Sequence, residues 1–350
     1  MDRLSQIQSN AGFTLVELLV AIAVSGLILA GLVQVFYTTN KSYTKQDQMA
    51  IVQQSIRFAK MNLERDIRMA GCGLGTGFYC LGVQELPLTN TDGGTTGADS
   101  LTISYVDYDD PCNDALPPLT VPTALTPHTI IAPTISVIPP TNPPYTATWT
   151  AGVPCAPAAP FYAIYSYYAL STGNLPPSVY SVVFQVTKVI NSSTLQCFFT
   201  VPGAGTILTN PTVGFFSSSQ LVKVTYSLAG TTLNRTVNYP LLTAAQVTQQ
   251  KLPTGGAIAD NIEDLEFAFG LDTNADGTVD TWINNAVLTS PQIAQVLQVR
   301  VSIVGISSSP LSGQPQNVEP AVENHLAGTV HDNYLREMFQ FVVMPRNLTG

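Results

Sequence analysis

The chain has 350 residues, enough for about two domains and a sizeable core. Its 14 Lys and Arg against 23 Asp and Glu give a formal net charge of −9. The sparse basic residues concentrate in the N-terminal helical segment and form none of the clusters that a phosphate backbone needs, which argues against a nucleic-acid partner.

From Phe13 to Phe36 the only charged residue is Glu17. Roughly two dozen apolar residues suffice to cross a bilayer core as a helix. Each Leu, Ile, Val or Phe gains about 0.3–0.6 kcal/mol on insertion, and a central carboxylate costs about 2.5–3.5 kcal/mol, less near an end. Insertion wins, and the acid asks for a partner. Beyond Phe36 the pattern stays helical but becomes amphipathic. Met49, Val52, Ile56, Ala59, Leu63, Ile67 and Ala70 recur at three- and four-residue spacing, with Lys60, Glu64 and Arg68 spaced as a ladder away from that stripe. Gly71-Cys72-Gly73 ends the pattern. From Phe13 to Ala70 such a helix is about 85 Å long, so its C-terminal half stands clear of the bilayer and is expected to pack on the chain's own sheet.

The helix begins at Gly12-Phe13-Thr14-Leu15-Val16-Glu17-Leu18-Leu19-Val20. This stretch resembles the processing site of type IV prepilins and type II secretion pseudopilins. The resemblance implies a leader over 1–12, cleavage between Gly12 and Phe13 by a prepilin peptidase, and N-methylation of Phe13. Glu17 matches the family's acidic fifth position of the mature chain. Residues four apart share a helix face, so the new amine and Glu17 can neutralise each other within one chain or, across two packed helices, set an axial register. An ordinary secretory signal cut at Ala21-Ile22-Ala23 leaves the run to Phe36 unexplained, and a plain anchor leaves Glu17 unexplained. Arg57-Phe58-Ala59 and Arg65-Asp66-Ile67-Arg68-Met69-Ala70-Gly71 resemble the post-membrane segment of PilW-type minor pilins.

From residue 72 to 179 the texture changes to Gly, Thr, Pro and Asn, and Ala115 to Thr187 contains no Asp, Glu, Lys or Arg. Such a run is a solvated extended linker or an irregular β insertion. Tyr145, Trp149, Phe161, Tyr162, Tyr165, Tyr167 and Tyr168 favour the folded option. From residue 180 to 350 strands dominate. Val182, Phe184 and Val186 alternate with polar neighbours. Val222, Val224, Tyr226 and Leu228 turn through Ala229-Gly230 into Leu233 and Val237. Further alternations are Leu265/Phe267/Phe269/Leu271, Leu297/Val299/Val301/Ile303 and Phe339/Phe341/Val343. The closing Val342-Val343-Met344-Pro345-Arg346-Asn347 resembles the last strand of PilW-type and J-type pseudopilin chains. The expected fold is α+β: a long N-terminal helix, 13–71, its membrane part 13–36, on an antiparallel β head with a β-rich insertion.

Asp272-Thr273-Asn274-Ala275-Asp276-Gly277-Thr278-Val279-Asp280 reproduces positions one to nine of a calcium loop. Asp272, Asn274, Asp276 and Asp280 are side-chain oxygen ligands, and Thr278 is a carbonyl ligand, around a glycine turn. Ile283 stands where the bidentate Glu belongs, and the flanks read as strands, so the expectation is a Ca²⁺ loop in a β-hairpin. Asp264 or Glu266 on the preceding strand is placed to close it. The alternative is an Asx-rich turn with no metal. Five cysteines in an outward-routed chain leave at least one without an intramolecular partner. Cys72 with Cys80 and Cys112 with Cys155 are candidate bridges, and Cys197 is a buried free thiol.

Ser42-Tyr43-Thr44-Lys45 lacks the companion motifs of a serine enzyme, and His325, His331 and Asp332 read as surface polar residues, so no enzyme is expected. The residues and the resemblance together imply a minor pilin of the PilW type in the initiating or tip complex of a type IV pilus. Its partners would be the prepilin peptidase, other minor and major pilins, and the inner membrane that holds the precursor by a single span with the head outside the cytoplasm. The alternatives are a J-type pseudopilin of type II secretion or a membrane-anchored, calcium-dependent adhesin.

Overall fold

The organising helix, α1 (Leu15–Met69), is 55 residues long in this computed structural model. The structure describes residues 14–72, 74, 77–80, 83–107, 145–148, 161–169, 178–191, 194–198, 212–216, 221–312 and 315–348, with the strands at 77–80 and between 145 and 216 as backbone alone. The helix stops where the sequence predicts: Gly71 takes a φ of 74°, open to a residue without Cβ. There the Cys72 N–H donates to the Met69 carbonyl at 2.9 Å and the Gly71 N–H to Ser104 at 3.0 Å.

The stripe of α1 docks as expected. Val52, Ile56, Ala59, Leu63, Ile67 and Ala70 are buried, and Met49 is half-buried. They pack on two antiparallel sheets. One runs β12-β11-β10-β4-β3, from β3 (Leu88–Thr91), β4 (Ser100–Val106), β10 (Leu221–Ala229), β11 (Thr232–Asn238) and β12 (Gly255–Ala259). The other runs β14-β13-β15-β16, from β13 (Ile262–Leu271), β14 (Thr281–Ile283), β15 (Val296–Ile306) and β16 (Arg336–Val343). The helix touches β4, β12, β13, β15 and β16. The fold is α+β, with antiparallel sheets on one long helix.

The Ala229-Gly230 turn forms the expected hairpin, with Ala229 opposite Thr232. On β13, Leu265, Phe267, Phe269 and Leu271 all face the core. On β15, Val299, Val301 and Ile303 do so, but Leu297 does not. The pairing shifts between Gly270, opposite Gln298, and Leu271, opposite Val296. The extra residue hands the inward place to buried Val296 and leaves Leu297 half-buried.

A third, seven-stranded sheet contains β1 (Gly77–Cys80), β2 (Val83–Glu85), β5 (Tyr145–Thr148), β6 (Phe161–Ala169), β7 (Ser178–Asn191), β8 (Thr194–Phe198) and β9 (Thr212–Phe216). Its pairings, including parallel β1–β7, divide the chain differently from a boundary at 179/180. Strands 178–216 join the insertion, whereas 88–106 joins the head.

At Gly305 on β15, a Cβ would lie 2.5 Å from Val52 Cγ1 and 2.9 Å from Ile56 Cδ1. Glycine therefore sets how closely α1 approaches the sheet. Gly305→Ala is expected to cost about 1–3 kcal/mol by overpacking, with partial recovery in Gly305→Ala/Val52→Ala. Thermal unfolding of the full chain in detergent checks this; an unchanged melting temperature in the single variant rejects the close contact.

Candidate functional site

The first site is the start of α1. Gly12 and Phe13 lie outside the described residues, which begin at Thr14, the N-cap. The Thr14 N–H and hydroxyl both donate to Glu17 Oε2 at 2.9 Å, and the Glu17 N–H donates to Thr14 Oγ1 at 3.2 Å. This reciprocal box satisfies helix donors that have no partner in the first turn. The single carboxylate of the apolar run is thus held one turn from the predicted new amine. The large apolar side chains from Leu15 to Phe36 are 50–75% exposed, so no protein covers them. By length and composition this stretch can cross a membrane.

Asp66 is an acid within the docking stripe, 1% exposed. Its Oδ2 accepts from the Tyr226 hydroxyl and from Arg235 Nε, each at 2.7 Å. Both partners sit on the β10–β11 hairpin, so a charged contact pins the helix to that sheet. Burial, then the Asp66 carboxylate, push the Tyr226 hydroxyl upward and keep it a donor. Of the expected ladder, Glu64 and Arg68 pair, whereas Lys60 lies 5.6 Å from the ring centroids of Phe339 and Phe341 on β16.

The loop from Asp272 to Asp280 joins β13 to β14 as a hairpin, with Leu271 opposite Thr281, so its flanks are strands as read. Its oxygens turn inward on the loop itself. Asp272 accepts from the Gly277 N–H at 2.8 Å and the Asp276 N–H at 3.2 Å. Asp280 accepts from the Thr273 N–H at 2.7 Å, and Asp276 from the Thr278 N–H at 2.8 Å. Asn274 Nδ2 donates to Asp276 at 3.1 Å and to Asp280 at 3.2 Å. The hydrogen bonds from Thr278 hold the exposed Asp276 carboxyl below its ordinary range. The donor set, hard oxygens at alternate positions around Gly277, fits Ca²⁺ in kind, but the three carboxylates do not converge on one point.

Asp264 and Glu266 do not close this loop. Glu266 lies six residues before Asp272, about 20 Å along a strand at ~3.3 Å per residue, and both acids are buried on the face of β13 opposite its apolar stripe. His325 is not a surface residue either: it is 7% exposed and lies beside these acids, whereas His331 is exposed and Asp332 pairs with Arg336. The available signal was two acids interleaved with Leu265 and Phe267 on a strand, in a chain with 3 histidines.

The Cys72 thiol is free, so the structure does not form the Cys72–Cys80 bridge. Burial, then Asp107, raise it above the ordinary thiol range, which disfavours the nucleophilic thiolate. Cys112 and Cys155, and the side chains of Cys80 and Cys197, fall outside the described residues. Ser42 and Lys45 are exposed on α1.

Two family models match. The one described as the prokaryotic N-terminal methylation motif covers residues 7–33; the one described as type IV pilus-assembly protein W covers residues 225–347, from β10 through β16. Among solved structures, a type IV-like pilin from Thermus thermophilus is similar at 10% identity, over 87% of this chain and 97% of its own, with a TM-score of 0.36, too weak a likeness to carry an argument. No curated protein matches. A methylation motif at the head of an uncovered apolar helix, continuous with a docked amphipathic half, is similar to what type IV prepilin-like proteins carry. The match over β10–β16 supports a PilW-type minor pilin, a component of type IV pilus assembly.

Asp66→Ala would leave the Arg235 guanidinium and Tyr226 hydroxyl without their acceptor, a loss expected to cost about 3–5 kcal/mol. Asp66→Asn, which keeps an acceptor, should cost less. Denaturant midpoints of the full chain decide; a loss below about 1 kcal/mol would mean that solvent replaces the contact.

Proposed function

We propose that the precursor sits in the inner membrane through residues 13–36 with its head outside the cytoplasm, is cut between Gly12 and Phe13, and then joins the initiating or tip complex of a type IV pilus with other minor and major pilins. The observation that carries this reading is the uncovered apolar half of α1, headed by one capped carboxylate. That surface must be covered by lipid or by like helices. In the assembly, Glu17 exchanges its local cap for the Phe13 amine of its own or a neighbouring chain. A head with a third, seven-stranded sheet is bulky for a helical shaft and suits an end. Mass spectrometry of sheared pili tests the route. The mature chain should begin at methylated Phe13, Gly12→Val should retain its leader and be missing from pili, and Glu17→Leu should insert yet be missing too. A different N-terminus rejects the cut, and normal recovery of Glu17→Leu rejects the role of the acid.

Asp272, Asn274, Asp276, Thr278 and Asp280 are proposed as a weak Ca²⁺ loop, supported by their spacing and by strand flanks that hold both ends. Binding requires the carboxylates to leave the loop N–H groups and turn together. An affinity on the order of 10⁻⁴–10⁻³ M is expected without a bidentate Glu. At millimolar calcium this stabilises the head by about 0.5–1.5 kcal/mol. Asp276→Ala should abolish the calcium-dependent rise in melting temperature. If calcium leaves the unmutated chain unchanged, the loop is an Asx turn.

A further inference from the structure

We propose that Asp264, Glu266 and His325 form a buried site for one divalent transition-metal ion, which pins a crossing segment onto β13. The two acids stand two residues apart on one face of β13. His325 comes from a turn closed by the Val322–His325 bridge, which crosses that face. Their ligand atoms all lie within 4.8 Å of one another, the one such group of three among the described residues. His325 Nδ1 is 2.9 Å from Asp264 Oδ2 and 3.8 Å from Glu266 Oε1. Ligands about 2.0–2.2 Å from a common ion have separations of this order.

The side chains of Asp264, Glu266 and His325 are 1%, 0% and 8% exposed. Yet no group outside the trio hydrogen-bonds to Asp264 Oδ2, either Glu266 oxygen or His325 Nδ1, and these atoms face one another. Buried polar atoms are rarely left so, and here four of them converge. Asp264 is aimed by its other oxygen, which accepts from the Leu265 N–H at 2.8 Å. The neighbouring acid Asp99 is already occupied, accepting from the Gly93 N–H at 2.9 Å and the Phe267 N–H at 3.0 Å.

The charge points the same way. Asp92, Asp99, Asp264 and Glu266 gather here against one imidazole. The guanidiniums on the same sheet are committed elsewhere: Arg300 to Glu323 and Arg336 to Glu263 and Asp332. One imidazole and two carboxylates suit Zn²⁺ or Mn²⁺ rather than Ca²⁺, which takes six to eight oxygens. Three protein ligands leave a fourth position for water. The ion would join β13 to the turn at 322–326.

The test uses the full chain in detergent, stripped with chelator and titrated with Zn²⁺ by calorimetry and with Co²⁺ by visible absorption. One ion per chain is expected, with a ligand-field band from Co²⁺. Glu266→Gln, close to isosteric, and His325→Ala should each weaken Zn²⁺ binding at least tenfold, while His331→Ala at an exposed histidine leaves it unchanged. Absence of both Zn²⁺ heat and the Co²⁺ band in the unmutated chain overturns the proposal, whatever the variants' folding. So does equal binding by Glu266→Gln and His325→Ala. A chelated Glu266→Gln more stable than the unmutated chain, with no metal bound by either, would assign a shared proton in place of the ion.

Discussion

One helix has to satisfy two solvents without a break, and the rest of the molecule is arranged around that demand. From Leu15 to Phe36 the side chains are apolar on every face and uncovered. From Val52 to Ala70 they are apolar on one face only, and two sheets cover it. Nothing interrupts the hydrogen-bonded backbone between these stretches, so the head is carried on a rigid stalk. The close approach at Gly305 and the charged contact at Asp66 act on the same half-helix. The first fixes its distance from β15, the second its rotation over the β10–β11 hairpin. Nonpolar packing alone would tolerate a slide along the sheet; an acid that must meet both Tyr226 and Arg235 would not.

The opposite face of the β13–β16 sheet is built on other terms. It is polar yet buried: Asp264, Glu266 and Ser302 are almost wholly inaccessible. The turn at 322–326 covers it, with Glu323 holding Arg300 in a two-point contact at 2.7 Å. Arg300 in turn stacks 4.3 Å from the Trp282 ring centroid. Asn324 continues the cover by donating to Asp92 at 2.9 Å. This sheet is therefore sandwiched between a dry contact with the helix and a charged contact with a chain segment that has no regular structure.

What could be read from residues alone divides along the same line. The 3.6-residue stripe on α1, the Ala229-Gly230 turn and the inward half of β13 were legible because each is periodic over a short span. The bulge that moves Leu297 out and Val296 in was not, because it depends on which residue of β13 lies opposite. The parallel pairing of β1 with β7 joins segments about a hundred residues apart, and no local pattern reports that. Asp264 and Glu266 were visible but assigned to the wrong place. An acid between apolar strand residues reads as solvent-facing until a covering segment is known, and the turn carrying His325 has no period to announce it.

The uncovered stretch of α1 also sets a rule for transport. Residues 15–36 are as apolar as the lipid around them, so passing from bilayer into a bundle of like helices exchanges one oily surrounding for another. Hydrophobic transfer then contributes little in either direction. On the proposed route, the direction of travel would be decided by close packing and by the one group with a large stake in its surroundings, the Glu17 carboxylate. A segment that looks like the strongest force in the molecule would be, for that journey, nearly neutral ballast, with packing and a single charge left to steer.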